Sequence, residues 1–204
     1  YRRDYFVREG ITFPSGLHFE DLPAHTEALA SAKSIVCLNK TGYFYRVNRP
    51  GKITDQKSEK RFDILTSTKL AIDALINRKA NTEIQAWTIL LASRMIYWCG
   101  KNTLNKDRIR FFESACELIS SKAPKEAIGH AIRTANSVQE SILLAALAAN
   151  SSEFLARHAS GLKPRARDAI GLFARSPHKK ELLKITKSTI KKVAKSRAIR
   201  LIKH

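Results

Sequence analysis

The chain has 204 residues, with 37 Lys and Arg against 18 Asp and Glu and a formal net charge of +19. That length suits one domain of ordinary size or two small ones sharing an interface, and the 44% apolar fraction argues against wholesale disorder. Cys37, Cys99 and Cys116 are odd in number and far apart, which speaks against a disulfide scaffold or CxxC ribbon and for reduced thiols in a cytosolic setting.

Met95 is the only methionine, so Tyr1 is no initiator and the chain reads as a processed product or a fragment. Residues 1–13 are charged throughout, unlike a signal peptide. The longest charge-free apolar stretch, 141–150, falls short of the ~20 residues needed to cross a bilayer. These features predict a soluble or peripheral protein.

In chain order, residues 1–9 predict a short helix or turn, with Gly10 as its C-cap. A brief extended piece over 11–16 ends at Pro14-Ser15-Gly16. Glu20-Asp21-Leu22-Pro23 opens a helix that runs to about Ala32, because acids and proline suit a first turn. Residues 34–38 (SIVCL) and 42–47 (GYFYRV) are rich in β-branched and aromatic types and predict strands. From Lys57 the apolar period changes from two to 3.6. Helices are expected over 57–78, 82–99, 106–121, 124–135, 137–149, 151–160 and 165–175, as a bundle or layer. Trp87, Trp98, Tyr97, Phe111 and Phe112 are expected in its core.

The charge is unevenly spread. Residues 1–56 carry +2, 57–177 carry +8, and 178–204 carry +9, with Glu181 the only acid of that last segment. Plotted on a helix, Leu182, Leu183, Ile190, Val193, Ala194 and Leu201 share one face, interrupted there by Thr186 and Arg197. Lys180, Lys184, Lys187, Lys191 and Lys195 share the other. Such a cationic amphipathic pattern suits an anionic membrane surface, and equally a C-terminal helix packed on the bundle with its lysines solvated. A nucleic-acid-binding reading ranks behind both, because no aromatics interleave with the basic cluster.

Three features of residues 1–56 belong together: the acidic pair Glu20-Asp21 at a loop-to-helix junction, the cations Arg46 and Arg49 after a strand, and the loop Gly51-Lys52-Ile53-Thr54. A carboxylate so placed suits deprotonation of a hydroxyl, and arginines on a loop suit a departing diphosphate. Taken in order, Tyr1-Arg2-Arg3-Asp4-Tyr5-Phe6, Gly10-Ile11-Thr12-Phe13, Phe19-Glu20-Asp21, Tyr43-Phe44-Tyr45-Arg46 and Lys52-Ile53-Thr54 resemble the second half of a bacterial family 2 glycosyltransferase domain of GT-A fold. The likeness covers roughly the first quarter of the chain. The family usually has Ser where Lys52 stands.

The resemblance implies Asp21 as general base of an inverting transfer, with Glu20 orienting it or binding the acceptor. Arg46, Arg49, Lys52 and Thr54 would approach the donor diphosphate, and His18 and His25 would line the acceptor site. It also implies a divalent metal, Mg or Mn, whose Asp-x-Asp ligands belong upstream of this chain. The sequence contains no Asp-x-Asp, GxGxxG or P-loop, so these 204 residues alone are expected to be inactive.

The resulting expectation is a mainly α chain with a small α/β N-terminal piece: a partial GT-A-like segment at 1–56, a helical domain at 57–177 and a basic amphipathic helix at 178–204. Its implied partners are a nucleotide-sugar, a polymer or lipid-linked acceptor, and an anionic membrane. The implied setting is cell-wall or capsular polymer synthesis, in the cytoplasm or peripherally at the inner face of the cell membrane. The alternatives are a non-catalytic helical interaction or membrane-docking module and, behind it, a basic nucleic-acid-binding protein.

Overall fold

The computed structural model describes residues 1–44, 58–162, 172 and 176–184. Among these residues the regular structure is helical. The first helix, α1 (Arg3–Glu9), stops at Gly10, whose φ of 67° a side chain would resist. Gly10 N–H donates to the Val7 carbonyl and Ile11 N–H to that of Phe6, satisfying the last turn. Helix α2 (Asp21–Ser31) begins with an acid at its positive end and carries Pro23 in the first turn, where no backbone donor is required.

A 3-10 turn over Glu59–Phe62 leads into α3 (Asp63–Asn77), followed by α4 (Thr82–Asn102), α5 (Arg108–Lys122), α6 (Lys125–Thr134), α7 (Val138–Ala148) and α8 (Ser152–Ala159). The starts follow local chemistry. Asn81 Oδ1 accepts the Ile84 N–H at 2.9 Å, and Ser137 Oγ accepts the Glu140 N–H at 3.2 Å. Pro124, just before α6, brings a preset φ of −59°.

The short link 78–81 folds α3 and α4 into an antiparallel hairpin. Helix α4 then packs against α5, α6, α7 and α8, while α5 packs against α7 and α8. Ile64, Ile72, Leu75, Ile89, Leu90, Ile96, Phe111, Phe112, Ile119, Ile132, Leu144 and Leu147 are fully buried in one continuous core. Leu22 of α2 belongs to the same core. At its centre Gly100 of α4 lies directly under Phe111 and Phe112, which meet edge to face at 5.5 Å.

One side chain ties the first helices to this body. Arg78 Nη2 donates to Glu27 Oε1 at 2.8 Å and to the Glu9 carbonyl at 2.6 Å, and its Nη1 lies 3.4 Å from Glu9 Oε2. The end of α1, the middle of α2 and the end of α3 therefore converge on one guanidinium.

Residues 179–184 are helical, with Leu182 buried and Glu181 paired to Arg133 of α6 at 3.3 Å. His178 is buried against Gly129, where a Cβ would come within 3.3 Å of its Nδ1. Burial lowers the pKa of His178, Arg133 and Lys125 add to that, and Glu181 opposes it. Burial and Lys101 lower that of His158 as well. Both rings thus bind a proton more readily unfolded than folded. Stability is complete above the ordinary histidine value of 6.5 and is lost as pH falls below it toward the depressed folded values. Tm measured at pH 7.5 and 5.5 should drop at the lower pH, and the drop should shrink in a His158→Gln/His178→Gln variant.

The thiols divide in the same way. Burial pushes Cys99 and Cys116 up to about 12, whereas Cys37 is exposed. A thiol-disulfide reagent at pH 8 should therefore titrate one cysteine in the native protein and three after denaturation.

Several expectations change. Residues 34–38 and 42–44 enter no sheet ladder; 45–47, the rest of the second expected strand, lie outside the described residues. A strand needs a neighbour for its backbone groups, and Ile35, Val36, Leu38, Tyr43 and Phe44 all stand exposed rather than facing one. The small α/β piece therefore has no sheet among the described residues. Phe111 and Phe112 are core as expected, but Trp87 and Trp98 are 52% and 38% exposed. Most of the helix expected over 165–175, and the basic pattern beyond 184, lie outside the described residues. Among the described residues no helix is long and apolar enough to cross a membrane.

Candidate functional site

The acidic pair is presented by a loop held from below. His18 N–H donates to Asp63 Oδ2 at 3.1 Å, and the His18 carbonyl accepts from Ser67 Oγ at 3.0 Å. These bonds fix the loop to the first turns of α3. Phe19 then takes a left-handed backbone with φ of 63°, a conformation that costs a bulky residue free energy. The compensation is visible: its ring packs against the main core, and its carbonyl accepts the Leu22 N–H at 3.2 Å. Glu20 and Asp21 follow immediately, both exposed, with Asp21 as the first residue of α2.

Asp21 and His25 are one turn apart and share a face of α2. That face borders a groove of about 440 Å³ between α2 and the outer side of α4. On α2 its wall consists of Leu22, Thr26 and Leu29, and on α4 of Ile84, Trp87, Thr88, Leu91, Arg94 and Met95. Ile35 covers one side. The volume falls within the range of small-molecule sites, and the lining has their usual character, mostly apolar with a few polar groups. The structure brings Asp21 and His25 to this groove, whereas Glu20 and His18 do not line it. His25 also packs on the rings of Tyr1 and Phe13, at 5.3 and 6.2 Å.

Helix direction gives the groove a polarity. The beginning of α2 is tied to the beginning of α3 through His18 and Asp63, and Glu27 is tied to Arg78 beyond the end of α3. Thus α2 runs in the sense of α3 and against that of α4. Asp21 lies toward the Arg94–Met95 end, and Leu29 lies toward the Ile84 end. Arg94 is held there by Glu140 of α7, at 2.8 Å.

Arg46, Arg49, Lys52 and Thr54 lie outside the described residues. Among the described residues no group of three or more His, Cys, Asp or Glu is placed to hold a metal ion.

Ile84, Trp87, Leu91 and Arg94 were not legible as site residues. The available signal was the width of the apolar arc on α4. Ile89, Leu90 and Ile96 already fill an inward stripe, so Ile84, Trp87 and Leu91, spaced three and four apart, form a second one. Compared with known proteins, the chain matches no family model, no curated protein and no solved structure.

Proposed function

We propose that the chain is the acceptor-side part of a glycosyltransferase that moves a sugar from a nucleotide-sugar to an acceptor hydroxyl in the synthesis of a cell-surface polymer. The observation that supports this most is the position of Asp21. The residue that the Phe-Glu-Asp motif marks as base stands exposed at the polar end of a groove of ligand size. An acceptor lying in the groove presents its hydroxyl to the Asp21 carboxylate, which takes the proton as that oxygen attacks the anomeric carbon. The leaving nucleoside diphosphate is met by Arg46, Arg49, Lys52 and Thr54. Inversion follows, because attack and departure occur on opposite faces of the sugar. In this reading residues 34–44 pair with a GT-A sheet supplied from outside the described residues, and an anionic membrane is the partner of the basic stretch beyond residue 184, since 178–184 pack on the helical body.

The test uses the protein encoded by the longest reading frame that contains these residues. It is incubated with a panel of radiolabelled nucleotide-sugars and a cell-envelope acceptor fraction. Transfer of label with inverted anomeric configuration is expected. Absence of transfer with every donor, from a folded protein, would remove the reading.

A further inference from the structure

The charged side chains of the groove beside Asp21 gather in one half of it, and this distinguishes between acceptor types. Asp21 and Arg94 lie toward one end, with His25 one turn further along α2. Beyond His25 the walls are Leu29 and Ile35 on one side and Leu91, Trp87 and Ile84 on the other. Thr26 and Thr88, the remaining polar residues of the wall, are themselves buried. The eleven steps from Ile84 to Met95 span about 16 Å along α4, comparable with an extended dodecyl chain. Trp87 and Leu91 remain 52% and 47% exposed although the core beneath them is complete, so water covers apolar surface that a hydrocarbon would displace. A free sugar would satisfy few of its hydroxyls along such walls. A charged peptide would find one paired arginine and one carboxylate.

We infer that this groove binds an amphiphile, with its hydrocarbon chain along Leu29, Trp87, Leu91 and Ile84 and its hydroxyl-bearing head at Asp21 and His25. The acceptor is therefore a lipid-linked one. The identity of the head as acceptor rests on the glycosyltransferase reading; chain binding does not.

The probe is n-dodecyl β-D-glucoside below its micellar concentration, with methyl β-D-glucoside as the chainless control, titrated into the full chain by calorimetry. Saturable binding of the dodecyl compound is expected, with none of the methyl compound at the same concentrations. Leu91→Glu places a charge on a half-exposed wall position and should weaken binding about tenfold or more. Glu117→Gln, an exposed position on α5 outside the groove, should leave it within about twofold. A second measurement does not depend on the Glu variant folding. A dodecyl glucoside brominated near the chain end should quench the tryptophan emission of Trp98→Phe, which keeps Trp87, and should not quench that of Trp87→Phe.

Equal binding of both glucosides, no saturable binding, or quenching that survives in Trp87→Phe would overturn the inference. So would a dimer that Leu91→Glu converts to a monomer, because a second copy would then fill the groove. Chain binding without sugar transfer would keep the groove assignment and remove the enzymatic reading. Transfer to chainless acceptors, with no dodecyl binding, would do the reverse.

Discussion

Asp21→Asn should lower sugar transfer by roughly 10²- to 10⁴-fold, the usual contribution of a positioned general base, while leaving the fold nearly intact. The separation of the two effects follows from the site. Asp21 is exposed at the first position of α2, outside the buried core. What the amide loses structurally is one negative charge at a helix N-terminus, typically about 0.3–1 kcal/mol. What it loses chemically is the ability to accept a proton at neutral pH. KM for the acceptor should change little and kcat should carry the loss, as for a group that acts in the transition state. Near-normal kcat would refute the assigned role. Glu20→Gln, at an exposed neighbour that does not line the groove, should cost less.

The second large effect lies in the core. Gly100→Ala should destabilise the protein by about 1–3 kcal/mol, although alanine is the better helix former by about 1 kcal/mol in an exposed helix interior. A Cβ at position 100 would run into Phe112 Cζ, and would lie 2.8 Å from Phe112 Cε2 and 2.9 Å from Phe111 Cδ1. Those rings are fully buried and cross edge to face, with Phe62 packed on Phe111 at 5.1 Å, so neither can swing aside. Tm should fall by about 2–4 °C for each kcal/mol in a chain of this size. Thermal unfolding of Gly100→Ala, Phe112→Leu and the double variant forms a cycle. The double variant should lose less than the sum of the singles, since the leucine vacates the space the methyl group needs. A Gly100→Ala protein as stable as the parent would mean that the two helices are spaced more widely than described.

The helical body was legible because its signals are local. Helices expected over 82–99, 106–121 and 137–149 correspond to Thr82–Asn102, Arg108–Lys122 and Val138–Ala148. Their ends are set by Asn81, Ser137 and Pro124, residues whose capping chemistry can be read without the fold. The stretch 34–44 enters no ladder among the described residues for the opposite reason. Its β-branched and aromatic residues satisfy strand propensity, yet a ladder depends on a neighbour that the local sequence does not describe. At the site, Asp21 and His25 were legible from their motif and from helical spacing. The α4 wall was not, because an apolar residue facing a groove and one facing the core look alike in sequence. Only the double stripe on α4 separates Trp87 and Leu91 from Ile89 and Leu90, and it becomes decisive once the inner stripe is known to be filled.

The convergence of three helices on Arg78 has a consequence for how the molecule breathes. Glu9, Glu27 and the Glu9 carbonyl cannot be released one at a time without leaving a half-buried guanidinium short of partners. In native-state hydrogen exchange, the amides of α1 and α2 should therefore open together, as one cooperative unit distinct from the α4–α5 core. Because α2 forms one wall of the groove, that shared opening also dismantles the Asp21 site. An arginine outside the groove should thus influence how much of the time the groove is assembled.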